Sequence, residues 1–214
     1  MALNVPPDHP PLPPESYPRT LDIAVSDLTD RQMRVSEGSK DGTLLYTVDL
    51  NKSEPHMVFH RAANPPQPVG NTPAATPSST ASFRRTSDDI DISIDGKGFV
   101  LAAEKALRNA TGFDSSLLGR KLIWKRAAMW KVLSLKCVDE TGVVYATYRT
   151  GNALKDRGEL SLLEPCGAVG GGNDELLDEI VVTAVVNIYL RMRTAGANST
   201  GRWWRFWDFS FVST

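Results

Sequence analysis

Residue types on which catalytic and metal sites depend are scarce in this sequence. Its 214 residues include only three histidines and two cysteines. Cys137 and Cys166 lack the close spacing of a disulfide framework or a zinc motif, which predicts free thiols. His56 and His60 fall on the same side of a predicted strand, but no third ligand follows at a suitable spacing. No motif such as Gly-x-Ser-x-Gly or His-Glu-x-x-His occurs, so we predict a protein that is not an enzyme and holds no metal or cofactor.

An excess of charge of one sign is also lacking. The chain carries 24 basic and 25 acidic residues, which gives a net charge of −1 and a pI of about 6.3. This balance excludes the global basic field typical of nucleic-acid-binding proteins, so we expect no nucleic acid partner and only local anion sites. Residues 1–18 have neither the basic nor the apolar region of a secretory signal. We therefore expect a cytoplasmic protein that is not secreted, with peripheral association with membranes left open.

No apolar run is long enough to cross a bilayer. The longest one, within 176–192, has an unbroken apolar core of about eleven positions, where a membrane span needs about twenty. Asn173 is a suitable N-cap, and the acidic residues that follow it and the arginines at the other end predict a helix. Its polar stripe is narrow, formed by Glu179, Thr183 and Asn187. A helix that is apolar around the rest of its circumference must be surrounded by other structure.

The sequence before this helix contains short segments with strand-like alternation. A proline-rich leader at 1–19 is predicted to be disordered, and 20–194 to form one domain that includes a flexible loop at 64–88. Residues 195–214 form an aromatic and basic tail. The predicted strands are 21–25, 32–35, 43–48, 56–60, 90–94, 98–102, 121–126, 132–138, 143–148 and 159–163. Segment 103–110 is compatible with either helix or strand.

About ten strands and one helix indicate a mainly β fold. A sheet of this size tends to curl and close, and closure removes exposed edges. We predict a closed antiparallel β-barrel of about ten to twelve strands around a C-terminal hydrophobic helix.

Three segments carry a family resemblance: the hairpin at 133–146, the strand at 158–163 and the start of the helix at 176–183. They resemble a group of fungal proteins related in fold to the Tubby C-terminal and LURP-one-related proteins. The resemblance implies a closed barrel around a C-terminal helix. It also implies membership of a superfamily whose better-known branches bind phosphoinositides or are related to phospholipid scramblases. Fold alone does not transfer function.

The densest basic stretch precedes a predicted hairpin. If this stretch is a strand, alternation places Lys121 and Lys125 on one face and Arg126 on the other. Together with Lys131 at the hairpin tip, these residues are candidates for binding a lipid headgroup, with Trp130 at the bilayer edge. The alternative interpretation is a solvated outer barrel face, where lysine protects against aggregation.

The tail at 195–214 concentrates tryptophan and arginine. Trp203, Trp204 and Trp207 suit a membrane interface, where indole rings lie at the level of the headgroups. Two alternatives stay open: a tail that packs back on the barrel, and a gene end translated from noncoding sequence.

Two classes of function are compatible with these features. The first is a non-catalytic protein that binds phosphoinositides or other anionic lipid headgroups at a membrane surface. The second is an adaptor that binds a protein partner through its proline-rich segments, or an accessory protein of a specialised fungal pathway with no lipid role. Ser87 follows two arginines and is a candidate phosphorylation site.

Overall fold

The structure is a computed structural model, and it describes residues 19–25, 31–62, 77–104, 110–127, 134–150, 157–163 and 174–197. Residues 1–18 of the predicted leader and 198–214 of the predicted tail lie outside these ranges, whereas Arg19 begins the first strand and 195–197 end the helix. The described elements are β1 (Arg19–Val25), β2 (Gln32–Glu37), β3 (Leu44–Leu50), β4 (Met57–Arg61), β5 (Ser79–Phe83), β6 (Ile90–Ile94), β7 (Lys97–Ala103), β8 (Thr111–Ser115), β9 (Arg120–Arg126), β10 (Leu135–Asp139), β11 (Val144–Thr150), β12 (Arg157–Leu162) and α1 (Asp174–Ala197).

The twelve strands form one closed antiparallel barrel. Each strand pairs with its neighbours in sequence, and β1 pairs with β12 to close the sheet. Side chains alternate between the interior and the outer surface, as in β3, where Tyr46, Val48 and Leu50 are buried. The predicted fold class is confirmed, with a strand number at the upper limit of the expected range.

Helix α1 lies inside the barrel. All its side chains from Leu176 to Tyr189 are buried, and its apolar residues join the inward side chains of the strands in one core. This enclosure explains why the helix is apolar on nearly every side. No helix in the described ranges combines the length and the apolarity that a membrane crossing requires.

The narrow polar stripe of α1 faces strands β8 and β9. Each of its three residues accepts a hydrogen bond from a side chain of the barrel wall, so these buried polar groups are satisfied. The bonds run from Ser115 Oγ to Glu179 Oε2 (2.6 Å), from Trp124 Nε1 to Thr183 Oγ1 (2.9 Å) and from Thr111 Oγ1 to Asn187 Oδ1 (2.7 Å). Three bonds spaced by four residues fix both the rotation and the height of the helix. Burial raises the pKa of Glu179, although its bonds to serine oppose the shift.

The first turn of α1 is held on the opposite side of the barrel. The hydroxyl of Tyr46 donates to the carboxylate of Asp178, and Arg61 Nη1 lies 3.3 Å from Asp178 Oδ2. The helix therefore begins at the barrel end that contains Ser115 and ends where β9 ends.

Two strands differ from the sequence prediction. Strand β5 lies within 64–88, which we expected to be a flexible loop, and β8 follows the ambiguous segment 103–110. In β5 the inward positions are the small residues Ser79 and Ala81, so apolar alternation is weak. In β8 the inward Thr111 and Ser115 are polar because they bond to the stripe of α1. Both strands therefore lack the pattern by which buried strands are recognised.

Candidate anion-binding site

Strand β9 carries most of the predicted cationic patch. Its burial pattern places Leu122 and Trp124 in the core and Lys121 and Lys125 on the outer surface. Arg126 follows the inward series. The two faces are therefore divided as the alternation predicted, and Arg126 lies on the other side of the barrel wall from the two lysines.

The residues at the start of β9 are paired with carboxylates. Lys121 Nζ lies 2.6 Å from Glu104 Oε1, and this hydrogen bond raises the pKa of Lys121. The pair covers Gly112, where any Cβ would collide with both side chains. Arg120 Nη1 lies 3.1 Å from Asp139 Oδ2, and this contact raises the pKa of Arg120. The charges of Arg120 and Lys121 are therefore largely compensated within the protein.

Lys125 has a different environment. In the register of β9 and β10 it lies directly opposite Lys136, whose side chain also points outward. Directly opposite residues have Cβ atoms about 5 Å apart, and like charges in such positions destabilise a sheet. Within the described ranges no carboxylate forms an ion pair with either lysine. Lys125 and Lys136 form what we call the lysine pair.

Lys136 is the site residue that the sequence prediction left out. The basic composition near it is visible in the sequence, but its position opposite Lys125 depends on the register of the β9–β10 hairpin. Because side chains alternate along a strand, a shift of one residue would place Lys136 inside the barrel. Lys136 is identified as a site residue only by the register of the two strands, which the composition of the sequence does not reveal.

Other predicted site residues fall elsewhere. Trp130, Lys131, Trp203, Trp204 and Trp207 lie outside the described residues. Their assignment to a membrane interface stays a prediction.

Ser87 lies in the connection between β5 and β6. The residue is exposed, and its Oγ is 3.2 Å from Asp89 Oδ2. The upstream Arg84 binds Asp91 through two nitrogens, at 2.5 and 2.9 Å. An exposed position suits a modification site, and phosphorylation of Ser87 stays a prediction.

The two described histidines have structural contacts. His60 Nε2 lies 3.0 Å from Asp49 Oδ2, and His56 Nδ1 accepts a hydrogen bond from the backbone N–H of Phe83. Cys137 is buried in the core. Among the described residues, no three or more His, Cys, Asp or Glu side chains are grouped so that they could hold a metal ion.

Fold and site together define a class of protein: a closed twelve-strand barrel with an enclosed helix and a cationic outer face on β9 and β10. No protein-family model and no curated protein matches the sequence. A protein from Arabidopsis thaliana with a known X-ray structure is similar, with 14% identity and a TM-score of 0.41 over 81% of this chain and 94% of that chain. Membership of the Tubby C-terminal and LURP-one-related group stays a prediction.

Proposed function

We propose that this protein is a non-catalytic barrel that binds anionic lipid headgroups, phosphoinositides among them, at a membrane surface. The observation that supports the proposal is the lysine pair, in which Lys125 and Lys136 face each other across two paired strands. A phosphate placed between the two ammonium groups would remove their mutual repulsion and accept hydrogen bonds from both.

Protection of a sheet edge does not explain these lysines. Lysine is common on edge strands because it opposes edge-to-edge aggregation. Strands β9 and β10 are each paired on both sides in a closed barrel, so neither has a free edge. Ile123 lies two residues before Lys125 on the same outer face and adds apolar surface next to the charges. A cationic pair beside a half-buried apolar side chain suits the boundary between headgroups and acyl chains.

The expected affinity is modest. A lysine near an anionic membrane surface contributes about 1 kcal/mol, so the pair supplies about 2 kcal/mol and the binding should weaken with salt. Lys121 should contribute less, since Glu104 already balances its charge.

Flotation of the full chain with vesicles tests the proposal. Wild type should float with vesicles that contain phosphoinositide and not with neutral phosphatidylcholine vesicles. The double variant Lys125→Glu, Lys136→Glu should lower the partition coefficient more than about tenfold. The matched control is Lys40→Glu, Lys52→Glu, which makes the same change in net charge at two exposed lysines elsewhere on the barrel.

The outcomes separate the candidate functions. Equal loss in the test and control variants would show that net charge acts, and not the lysine pair. A wild-type protein that floats with neither vesicle would contradict lipid binding and would favour an adaptor that acts through its proline-rich segments. A Lys121→Gln variant should float almost as wild type does.

A further inference from the structure

The connection between β5 and β6 combines an exposed serine with two preceding arginines. Residues 84–88 are all exposed and belong to no helix or strand, so a kinase can reach this segment. Arg84 and Arg85 precede Ser87 by three and two residues. Guanidinium groups at these positions suit the carboxylates with which kinases that select basic substrates bind them. Both the access and the local charge therefore suit phosphorylation of Ser87.

Recognition by a kinase would require one ion pair to open. Arg84 binds Asp91 through two nitrogens, and the side chains of both residues are more than 40% exposed. Exposed ion pairs contribute little to stability because water competes for both charges. Arg84 can therefore leave Asp91 for a kinase, or for a phosphate, at little cost to the fold.

The hydroxyl of Ser87 is in contact with a carboxylate that holds a strand. Ser87 Oγ lies 3.2 Å from Asp89 Oδ2 and also accepts a hydrogen bond from the backbone N–H of Asp89, at 3.3 Å. The other carboxylate oxygen, Oδ1, accepts a hydrogen bond from the backbone N–H of Ala103, at 3.1 Å. One side chain thus connects the exposed serine to the last residue of β7.

This hydrogen bond supports a weakly paired part of the barrel. Backbone pairing between β6 and β7 ends at Leu101, so the carboxylate of Asp89 takes the place of a strand partner for the N–H of Ala103. On its other side, β7 pairs with β8 only through Ala102 and Ala103. Within the described ranges, every other pair of neighbouring strands is joined at three or more positions. Loss of the bond from Asp89 should therefore affect the end of β7 first.

We propose that Ser87 is a phosphorylation site whose phosphate releases Asp89 from Ala103 and so weakens the pairing at the end of β7. In the modification, Ser87 Oγ attacks the γ-phosphorus of ATP, the bond to ADP breaks, and the hydroxyl proton passes to a base of the kinase. The product carries a charge of about −2 next to the carboxylate of Asp89, and like charges so close repel each other. Arg84 Nη1, 3.7 Å from Asp89 Oδ2, is placed to turn towards the phosphate.

Hydrogen exchange of the Ala103 amide tests the proposal. The full chain is treated with ATP and a kinase that selects basic substrates, and the modified residue is found by mass spectrometry. Phosphate should be added at Ser87. Exchange at the Ala103 amide, followed by NMR, should then become about five to ten times faster, as expected for the loss of one hydrogen bond. The amide of Val48 in β3 is the internal control and should exchange as before.

An Asp89→Asn variant tests the role of the charge. The amide oxygen of asparagine can still accept the bond from Ala103, but it is not repelled by a phosphate. Phosphorylation of this variant should therefore leave exchange at Ala103 nearly unchanged.

Three results would overturn the proposal. They are a Ser87 that the kinase does not modify, unchanged exchange at Ala103 in the phosphorylated wild type, and an equal increase in Asp89→Asn. The proposal goes beyond lipid binding, and no membrane takes part in its test, so its failure would leave the lysine pair unaffected.

Discussion

A charge introduced at Val185 should unfold the domain. Val185 is fully buried in the middle of α1, inside the barrel. Val185→Asp removes an apolar contribution of about 1.5–3 kcal/mol and leaves a carboxylate whose burial without a partner costs several kcal/mol more. The sum is comparable with the whole free energy of unfolding of an ordinary domain, about 5–15 kcal/mol. The Tm should fall by at least about 10 °C.

The same substitution on the outer surface is the control. Val100 on β7 is 38% exposed and lies opposite Asp91, whose charge is paired with Arg84. Val100→Asp should change the stability by about 1 kcal/mol or less. Burial raises the pKa of a carboxyl, so the loss caused by Val185→Asp should be smaller at pH 4 than at pH 7. A well-folded Val185→Asp variant with an unchanged Tm would refute the enclosed helix.

Three further substitutions test the polar contacts. Trp124→Phe removes the donor to Thr183 and leaves a smaller ring, so the free energy of unfolding in urea should fall by about 2–3 kcal/mol. Burial raises the pKa of Glu179, so wild type loses stability as the pH rises above the pKa that Glu179 has in the unfolded chain. The Tm of Glu179→Gln should therefore increase relative to that of wild type between pH 4 and pH 8. The hydrogen bond from Thr141, with further bonds, lowers the pKa of Asp139 to about 2. Because this pKa is lower in the folded than in the unfolded protein, Asp139 stabilises the fold above the pKa that it has in the unfolded chain. This stability is lost as the pH falls to the folded pKa of about 2, so the difference in Tm between wild type and Asp139→Asn should narrow between about pH 4 and pH 2.

The helix could be predicted from the sequence because several signals agreed. Acidic residues at its start predicted a helix, its apolar circumference required that other structure surround it, and α1 was found at Asp174–Ala197. Strands with clean alternation, such as β6, were predicted for the same reason. Strand β8 was missed because two of its inward residues, Thr111 and Ser115, are polar and bond to α1, a reason that is visible only in the folded barrel.

The site was only partly predictable. Alternation along β9 predicted which side chains share a face, since that depends on one strand alone. The partners of those side chains depend on contacts between strands. Glu104, the residue after the end of β7, forms an ion pair with Lys121, and Lys136 is opposite Lys125 only in the observed register. Neither relationship follows from the spacing of residues in the sequence.

The orientation of the barrel on a membrane tests the proposed function most directly. A polarity-sensitive fluorophore can be attached at Ile123→Cys, on the outer face beside Lys125, or at Thr47→Cys on β3, six strands away around the barrel. A Cys166→Ser background leaves only the buried Cys137. If the lysine pair faces the membrane, vesicles with phosphoinositide should shift the emission of the probe at position 123 and not that of the probe at 47. Equal shifts at both positions, or a shift at 47 alone, would contradict the proposed site.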